Sequence, residues 1–304
     1  MGYEILDLDI KNKFIGKKII RYKTISSTQE KCLYLLENFN GQSNLNGTVI
    51  VSDQQTAGKG RLQRKWVSSN GGLWFSIILT RPNLSVSDIN FIHMLSTLSV
   101  CETIKIFIDY NTVIKWPNDI MVNSKKIAGI LIDVSITDET IDYLVIGIGI
   151  NVNLDSKQVI KEIQKDNEYN MNSTFGLSND ITSIKDELKG LQVDKLKILR
   201  ILLEKIEKYF LTIERSILDE RDNDNVQKNS IPHNKHKIIA MYRGLCSTLG
   251  KRICVYNTGK EYCCGLAKGL DEHGYLILEK EGVNKDKEIV VEKLYYGDIS
   301  IREI

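Results

Sequence analysis

Gln54-Gln55-Thr56-Ala57-Gly58-Lys59-Gly60-Arg61-Leu62-Gln63-Arg64-Lys65-Trp66 places four cations among small residues, between two strand-like runs, Thr48 to Ser52 and Leu73 to Leu79. Gly58 and Gly60 let backbone N–H groups approach a ligand closely. Lys59, Arg61 and Arg64 carry the charge to neutralise phosphate or carboxylate oxygens. The segment therefore reads as an anion cradle, although a solvated basic loop has the same composition. It is not a P-loop, because Gly60 is followed by Arg61 rather than by Lys and then Ser or Thr.

Upstream of the loop, Ile19 to Thr24 has strand composition, and Ser27-Thr28-Gln29-Glu30 fits a capping box that starts a helix running to about Phe39. Downstream, Ile92, Leu95, Leu98 and Ile104 mark one face of a helix from Asp88 to about Ile106. Thr112 to Trp116, Ile120 to Val122, Ile127 to Val134 and Ile141 to Ile150 read as strands. A mixed or antiparallel sheet with helices on one side buries these runs, which defines an α+β fold. Leu196, Leu199, Leu203, Ile206, Phe210, Ile213 and Ile217 form a helical stripe of the kind that faces a core.

Asp219 to Lys237 is nearly devoid of apolar residues and is expected to be a linker. Beyond it, short β-like segments separated by turn residues, from Arg252 to Ile301, suggest a small barrel. The expected division is a catalytic domain over residues 1–218, a linker over 219–237 and a barrel over 238–304, with a solvated Asn- and Lys-rich insertion near 155–180.

The composition narrows the function. A 304-residue chain with 42% hydrophobic side chains can bury a sizeable core. Its 41 Lys and Arg against 39 Asp and Glu leave a net charge of +2, which excludes a polycation held to nucleic acid mainly by counterion release. The cysteines at 32, 101, 246, 254, 263 and 264 show no C-x-x-C spacing and read as reduced intracellular thiols. The amino terminus has no cationic signal region, and no apolar run approaches the roughly 20 residues of a membrane helix. A cytoplasmic protein with no membrane partner is expected.

Two further constellations accompany the loop. Lys115-Trp116-Pro117-Asn118-Asp119-Ile120 ends a strand at Pro117, where Lys115, Asn118 and Asp119 can converge on a ligand, or where an ordinary Pro-Asx turn can form. Gly147-Ile148-Gly149-Ile150-Asn151 closes an apolar strand without a third fingerprint glycine, so a dinucleotide fold is rejected and close backbone packing is favoured. His233 and His236 lie in a polar segment without further metal ligands. Ser27 has no His and Asp arrangement that would make it a nucleophile.

The order of these pieces resembles the catalytic domain of the biotin protein ligases. Ser27-Thr28, Gln55, Gly58-Lys59-Gly60-Arg61, Trp66, Gly71-Gly72-Leu73-Trp74-Phe75-Ser76, Lys115-Trp116-Pro117-Asn118-Asp119, Lys126-Ile127-Ala128-Gly129-Ile130-Leu131 and Gly147-Ile148-Gly149-Ile150-Asn151 span most of residues 19–153. The carboxyl end resembles the SH3-like barrel of that family. Three positions depart from its pattern. Lys59 stands where Arg is common, Gln63 where glycine is frequent, and Gln29 where Asn is usual. The stretch before Ser27 is too short for the winged-helix domain of some bacterial members, so no DNA partner is expected.

The resemblance implies ATP and biotin as substrates, with Mg²⁺, and formation of biotinyl-5′-AMP. It also implies transfer to a lysine of a carboxylase's biotin carrier domain. By the same resemblance Lys115, Arg61 and Lys59 carry the catalytic charge. Ser27, Thr28, Gln55, Gly58, Lys59, Arg61, Gly72, Trp74, Lys115 and Gly129 hold biotin. Arg61, Arg64, Trp66, Lys115, Asn118 and Asn151 hold the nucleotide; magnesium comes with ATP, with no ligand of the chain assigned to it, and Asn118 or Asp119 is the candidate to position it or the acceptor lysine. A lipoate or octanoate ligase of the same fold is the nearest rival. A non-catalytic nucleic-acid binder using the basic loop and barrel is a more distant one.

Overall fold

The apolar runs of the first half leave little polar surface on either side of a sheet, and in the structure both sides are covered. The computed structural model of the chain describes residues 2–38, 42–108, 111–169, 181–221, 233–257, 260–280, 290–294 and 299–303. Among these, β1 (Tyr3–Leu6), β2 (Ile19–Ile25), β3 (Val49–Gln55), β4 (Leu73–Thr80), β5 (Thr112–Lys115), β6 (Asp119–Val122), β7 (Lys125–Thr137) and β8 (Thr140–Ile150) form one sheet in the order β1-β2-β3-β4-β8-β7-β6-β5. Only β2 and β3 pair in parallel. A parallel pair needs a crossover, and α1 (Thr28–Asn38) supplies it.

Helices, expected on one side of the sheet, lie on both. Cys32 and Leu36 of α1 pack with Ile50, Ile78 and Val145. On the opposite face α2 (Ile89–Phe107) and the long α5 (Lys195–Arg221) cover Val49, Phe75, Ile77, Leu144 and Ile146. Every residue of β4 is therefore buried, which explains a continuous rather than alternating apolar strand. The sequence pattern does not reveal β1, because Tyr3 and Ile5 are exposed and its four residues give too short a pattern.

The stripe from Leu196 to Ile217 is α5, and it does more than fill space. Glu207, buried on this helix, accepts the backbone N–H groups of Lys13, Phe14 (2.9 Å) and Ile15 (2.8 Å), fixing the segment that leads into β2. Removing the carboxylate leaves these three donors, one buried and two part-buried, without their acceptor. Glu207→Ala is expected to lower the unfolding free energy by about 3 kcal/mol, read by urea denaturation.

The linker assignment is corrected at both ends. Residues 219–221 complete α5, and 233–237 belong to α6 (His233–Leu245), while 222–232 lie outside the described residues. Local polarity misleads because α6 is held by few side chains. Ile238, Ile239 and Tyr242 join the main core, and Lys235 pairs with the buried Asp88 at 2.6 Å. The insertion near 155–180 begins as α3 (Ser156–Tyr169), whose Val159 packs on Trp74; 170–180 are outside the described residues.

The carboxyl-terminal SH3-like unit is a five-stranded antiparallel sheet of β9 (Arg252–Asn257), β10 (Lys260–Leu270), β11 (Leu276–Lys280), β12 (Val290–Leu294) and β13 (Ile299–Glu303), in the order β12-β11-β10-β9-β13. Its Ile253, Val255, Ala267, Leu276 and Leu278 belong to the same hydrophobic cluster as α2 and α6, so it is fixed against the larger domain. The expectation of reduced thiols throughout fails here. Cys254 and Cys264 are direct partners in the β9–β10 ladder and form a disulfide, a proximity set by strand register rather than sequence spacing. Cys32, Cys101, Cys246 and Cys263 take no part in a disulfide.

Candidate active site

Three sequence-distant segments meet in one cavity of about 610 Å³. The capping turn and α1 contribute Ser27, Thr28 and Gln29. The basic loop contributes Lys59, Gly60, Arg61, Arg64, Lys65 and Trp66, and the strand end contributes Lys115, Asn118 and Asp119. Gly129, Gly147, Gly149 and Asn151 form part of the wall.

The loop is a narrow hairpin. Gly60 N–H donates to Arg64 O (2.7 Å) and Trp66 N–H to Gly58 O (2.8 Å). At its tip Leu62 (φ 56°) and Gln63 (φ 57°) are left-handed, the conformation that favours glycine and costs other residues about 1–2 kcal/mol each. That strain gives the departure at Gln63 a physical meaning. The hairpin tip is then anchored by Arg61, whose Nη1 donates to Asn118 Oδ1 at 3.1 Å, while Asn118 Nδ2 donates to Ile130 O. Loop and strand end are thus tied through one amide. From behind, Trp116 N–H donates to Thr248 Oγ1 and Tyr242 O–H to Pro117 O, so the turn is held by α6 and the segment after it.

Trp66 forms the middle of the site. A β-carbon at Gly149 would lie 2.8 Å from its Nε1, and one at Gly129 would lie 2.9 Å from its Cζ3. Gly129 and Gly149 are partners across β7 and β8, so the indole lies against a two-glycine floor. Lys126 Nζ sits 4.9 Å from the ring centroid and pairs with Asp119 at 2.6 Å, and Trp74 meets the indole edge-on. The indole Nε1 is buried and donates to nothing among the described residues.

The cavity wall is rich in cations. Arg61, Arg64, Lys115 and Lys126 line the cavity together with Arg302 from β13. Burial, with Arg61 and Arg302 nearby, lowers the pKa of Arg64, although Asp119 opposes the shift. A guanidinium stays protonated at neutral pH all the same, so the cluster concentrates positive charge suited to an anion. Burial, together with Arg61, holds His93 on α2 well below its ordinary value, so that imidazole is neutral at pH 7.

Thr28, Gln29, Gln55 and Ser76, which also line the cavity, are joined by a chain of hydrogen bonds. Thr28 N–H donates to Gln55 Oε1 (2.7 Å), Gln55 Nε2 donates to Ser68 Oγ (2.8 Å), and Thr28 Oγ1 lies 2.8 Å from Ser76 Oγ. Ser76 in turn donates to Gln29 Oε1.

Several expected site residues take other positions. Gly58 is outside the cavity wall; a β-carbon there would strike Trp66 O at 2.4 Å, so this glycine permits the hairpin to close. Gly72 and Trp74 are also outside the wall. Trp74 is buried behind Trp66 with Leu154 and Val159, and Gly72 must lack a side chain because the Trp74 ring occupies that space. Lys59 lines the rim, but its ammonium is paired with Glu30 at 2.8 Å, and Lys59 and Ser26 hold the Glu30 carboxyl below the usual range. Asp119 is committed to Lys126, and no group of three His, Cys, Asp or Glu is gathered among the described residues. Such a donor set fits a magnesium ion that arrives on nucleotide phosphates, needing one or two protein carboxylates at most, and does not fit a resident metal cage. Sequence reasoning misses Arg302, since its contact depends on how two domains pack. Lys126 falls within a quoted motif, and its neighbour Lys125 leaves no means of telling which cation turns inward.

A mixed sheet that gathers an anion-binding hairpin, a Lys-Trp-Pro-Asn-Asp turn and a paired-glycine floor defines a class. Residues 22–151 match the Biotin/lipoate A/B protein ligase family, and residues 248–302 match the Biotin protein ligase C terminal domain. The chain belongs to the biotin protein ligase family. It is 29% identical over 294 residues to the bifunctional ligase/repressor BirA of Bacillus spizizenii, covering 96% of this chain and 76% of that one. It is 25% identical to the biotin–[acetyl-CoA-carboxylase] ligase of Mycobacterium tuberculosis, covering 79% and 76% respectively. The structure of the Aquifex aeolicus biotin protein ligase in complex with biotin and ATP superposes with a TM-score of 0.68 at 25% identity, covering 95% of this chain and all of that one. No helix among the described residues is long and apolar enough to cross a membrane.

Proposed function

We propose that the protein joins biotin to a lysine of a carboxylase's biotin carrier domain in two steps, both within the cavity described above. In the first, a biotin carboxylate oxygen attacks the α-phosphorus of ATP, pyrophosphate leaves, and biotinyl-5′-AMP forms. In the second, the lysine amine attacks the acyl carbon, AMP leaves with the bonding pair, and the nitrogen gives up a proton. The observation that carries this reading is one cavity whose wall holds both a set of cations, Arg61, Arg64, Lys115 and Arg302, and the uncharged hydrogen-bonding pair Thr28 and Gln55. A molecule with an uncharged polar head and an acid tail, beside a nucleotide, matches both.

Attack of an anion on a polyanion is limited by charge, and fixed cations in a partly dry site stabilise it strongly. Lys115 is the principal cation for the first step. Arg61, Arg64 and Arg302 receive phosphate oxygens, and Asn151 lies on the nucleotide side. Trp66 and Asn118 hold the hairpin in place over the acyl phosphate, which hydrolyses when wet. A magnesium ion arriving with the nucleotide would add charge neutralisation, and Asp119 is the residue of this chain that would help to hold it.

The test is incubation with labelled biotin, MgATP and a biotin carrier domain, with lipoate in a parallel reaction. Label on the carrier lysine from biotin is expected, and transfer of lipoate alone overturns the reading in favour of the rival ligase. Arg61→Gly removes the tie between hairpin and Asn118, so activated biotin is expected to escape and label bystander proteins at least about 10-fold more than the parent enzyme does. A streptavidin blot of an added bystander measures it; labelling confined to the carrier domain contradicts the role given to Arg61.

A further inference from the structure

Lys115 is held from outside its own hairpin, on both sides of its α-carbon. Ile114 O accepts the backbone N–H of Ser247 (2.8 Å) and the Ser247 hydroxyl (3.2 Å), while Trp116 N–H donates to Thr248 Oγ1 at 3.0 Å. The first of these groups belongs to the peptide unit that enters Lys115 and the second to the unit that leaves it. A residue has only two soft backbone torsions, and they turn those two planar units against each other. Fixing both planes from consecutive residues, Ser247 and Thr248, therefore fixes the direction in which the Lys115 side chain leaves the strand. Further on, Pro117 O accepts the Tyr242 hydroxyl at 3.0 Å.

The clamp lies along the last strand of the sheet. β5 is an edge strand, and Cys246 forms a parallel bridge with Ile114, so residues 246–248 run beside it. Thr248 and Tyr242 are buried, where a polar group that loses its partner finds no water to replace it. The Cys246 thiol also faces Trp116 N–H, but sulfur is a weak acceptor and does not substitute for the Thr248 hydroxyl. Neither Thr248 nor Tyr242 is in the cavity wall, so contact with a ligand does not account for them.

We infer that Thr248 and Tyr242 are positioning residues that aim the Lys115 ammonium into the cavity by fixing the backbone on either side of it. This rests on the proposed role of Lys115 in the first step. The cation comes from the large sheet and its support from α6 and the segment that leads into β9, so the two parts of the molecule meet at the reacting group. A displacement of about 1 Å at such a group can cost about 100-fold in rate, which makes a backbone clamp outside the cavity consequential.

The experiment is biotin-dependent ATP–pyrophosphate exchange in Thr248→Val, which keeps the shape of the side chain and removes the acceptor. The kcat is expected to fall at least about 10-fold, with the KM for biotin and for ATP each within about threefold, because the charge is retained and its aim is lost. Thr248→Ser restores the acceptor and should recover kcat to within about threefold of the parent. A merely structural contact would matter equally in any background, so the deciding comparison is made in Lys115→Ala. There Thr248→Val is expected to change exchange by less than about twofold, since no ammonium is left to aim. Unchanged kcat in a folded Thr248→Val, or the same fold loss in both backgrounds, overturns the inference. Should Thr248→Val not fold, Tyr242→Phe removes the bond to Pro117 O and must lower kcat at least about threefold in the parent but not in Lys115→Ala. A parent that exchanges with lipoate and not with biotin refutes the biotin reading alone, and the same comparison with lipoate then decides the positioning role; exchange with neither acid refutes both.

Discussion

Lys115→Ala is expected to reduce biotin-dependent ATP–pyrophosphate exchange by about 10³-fold while leaving thermal unfolding nearly unchanged. The expectation follows from where β5 puts the side chain. Ile114 is buried in the main core, so its neighbour must turn to the other face of the strand, and that face is the cavity. The backbone of Lys115 pairs with Asp119 in the β5–β6 hairpin, and the following turn is held by Thr248 and Tyr242. None of these contacts uses the ammonium group, so truncation removes charge without removing support. Other cations do not replace it. Lys59 is neutralised by Glu30 and Lys126 by Asp119, while Arg61 is held against Asn118. Near-normal exchange in the variant would show that the charge acting on the carboxylate and α-phosphate lies elsewhere. Lys115→Arg adds a useful contrast: it restores charge but not shape, and partial recovery is expected for a point-charge role.

Lys115 could be singled out from sequence because it sits at a strand end, and the rest of the legible structure has the same local origin. The sheet is written in runs of Ile, Val and Leu with turns between them, and the cavity in motifs at strand ends and in one basic hairpin. What is not legible depends on partners distant in the chain. The disulfide requires the β9–β10 register, in which Cys254 meets Cys264 rather than Cys263. Arg302 reaches the cavity only because the small domain is packed on α2 and α6. Lys59 looks catalytic because charge can be counted in a sequence, while its neutralisation by Glu30, a turn into α1, is seen only in space. Trp74 and Gly72 look like pocket residues because they sit in a family motif; the motif instead preserves the packing of one indole behind another.

That packing leads to the second large effect. Gly149→Val is expected to lower kcat/KM for biotin by about 10²-fold or more, although it changes no charged or hydrogen-bonding side chain. Its β-carbon would lie 2.8–3.1 Å from Nε1, Cε2 and Cζ2 of Trp66, and valine adds two methyl groups beyond it. The indole cannot sink, because Gly149 is paired with Gly129 in the continuous β7–β8 ladder. Nor can it slide sideways while Trp74 is at its edge and Lys126 is over its face. It must lift, and the hairpin lifts with it, since Trp66 N–H is bonded to Gly58 O and the Lys59–Lys65 bridge joins the two arms. Arg61 and Arg64 then leave the cavity even though both are still present in the chain. The discriminating variant is Gly149→Val combined with Trp66→Ala. If the valine acts through the indole, the second change removes its victim, and the double variant should be no worse than Trp66→Ala alone; fully additive losses would mean that Gly149 acts on the ligand directly.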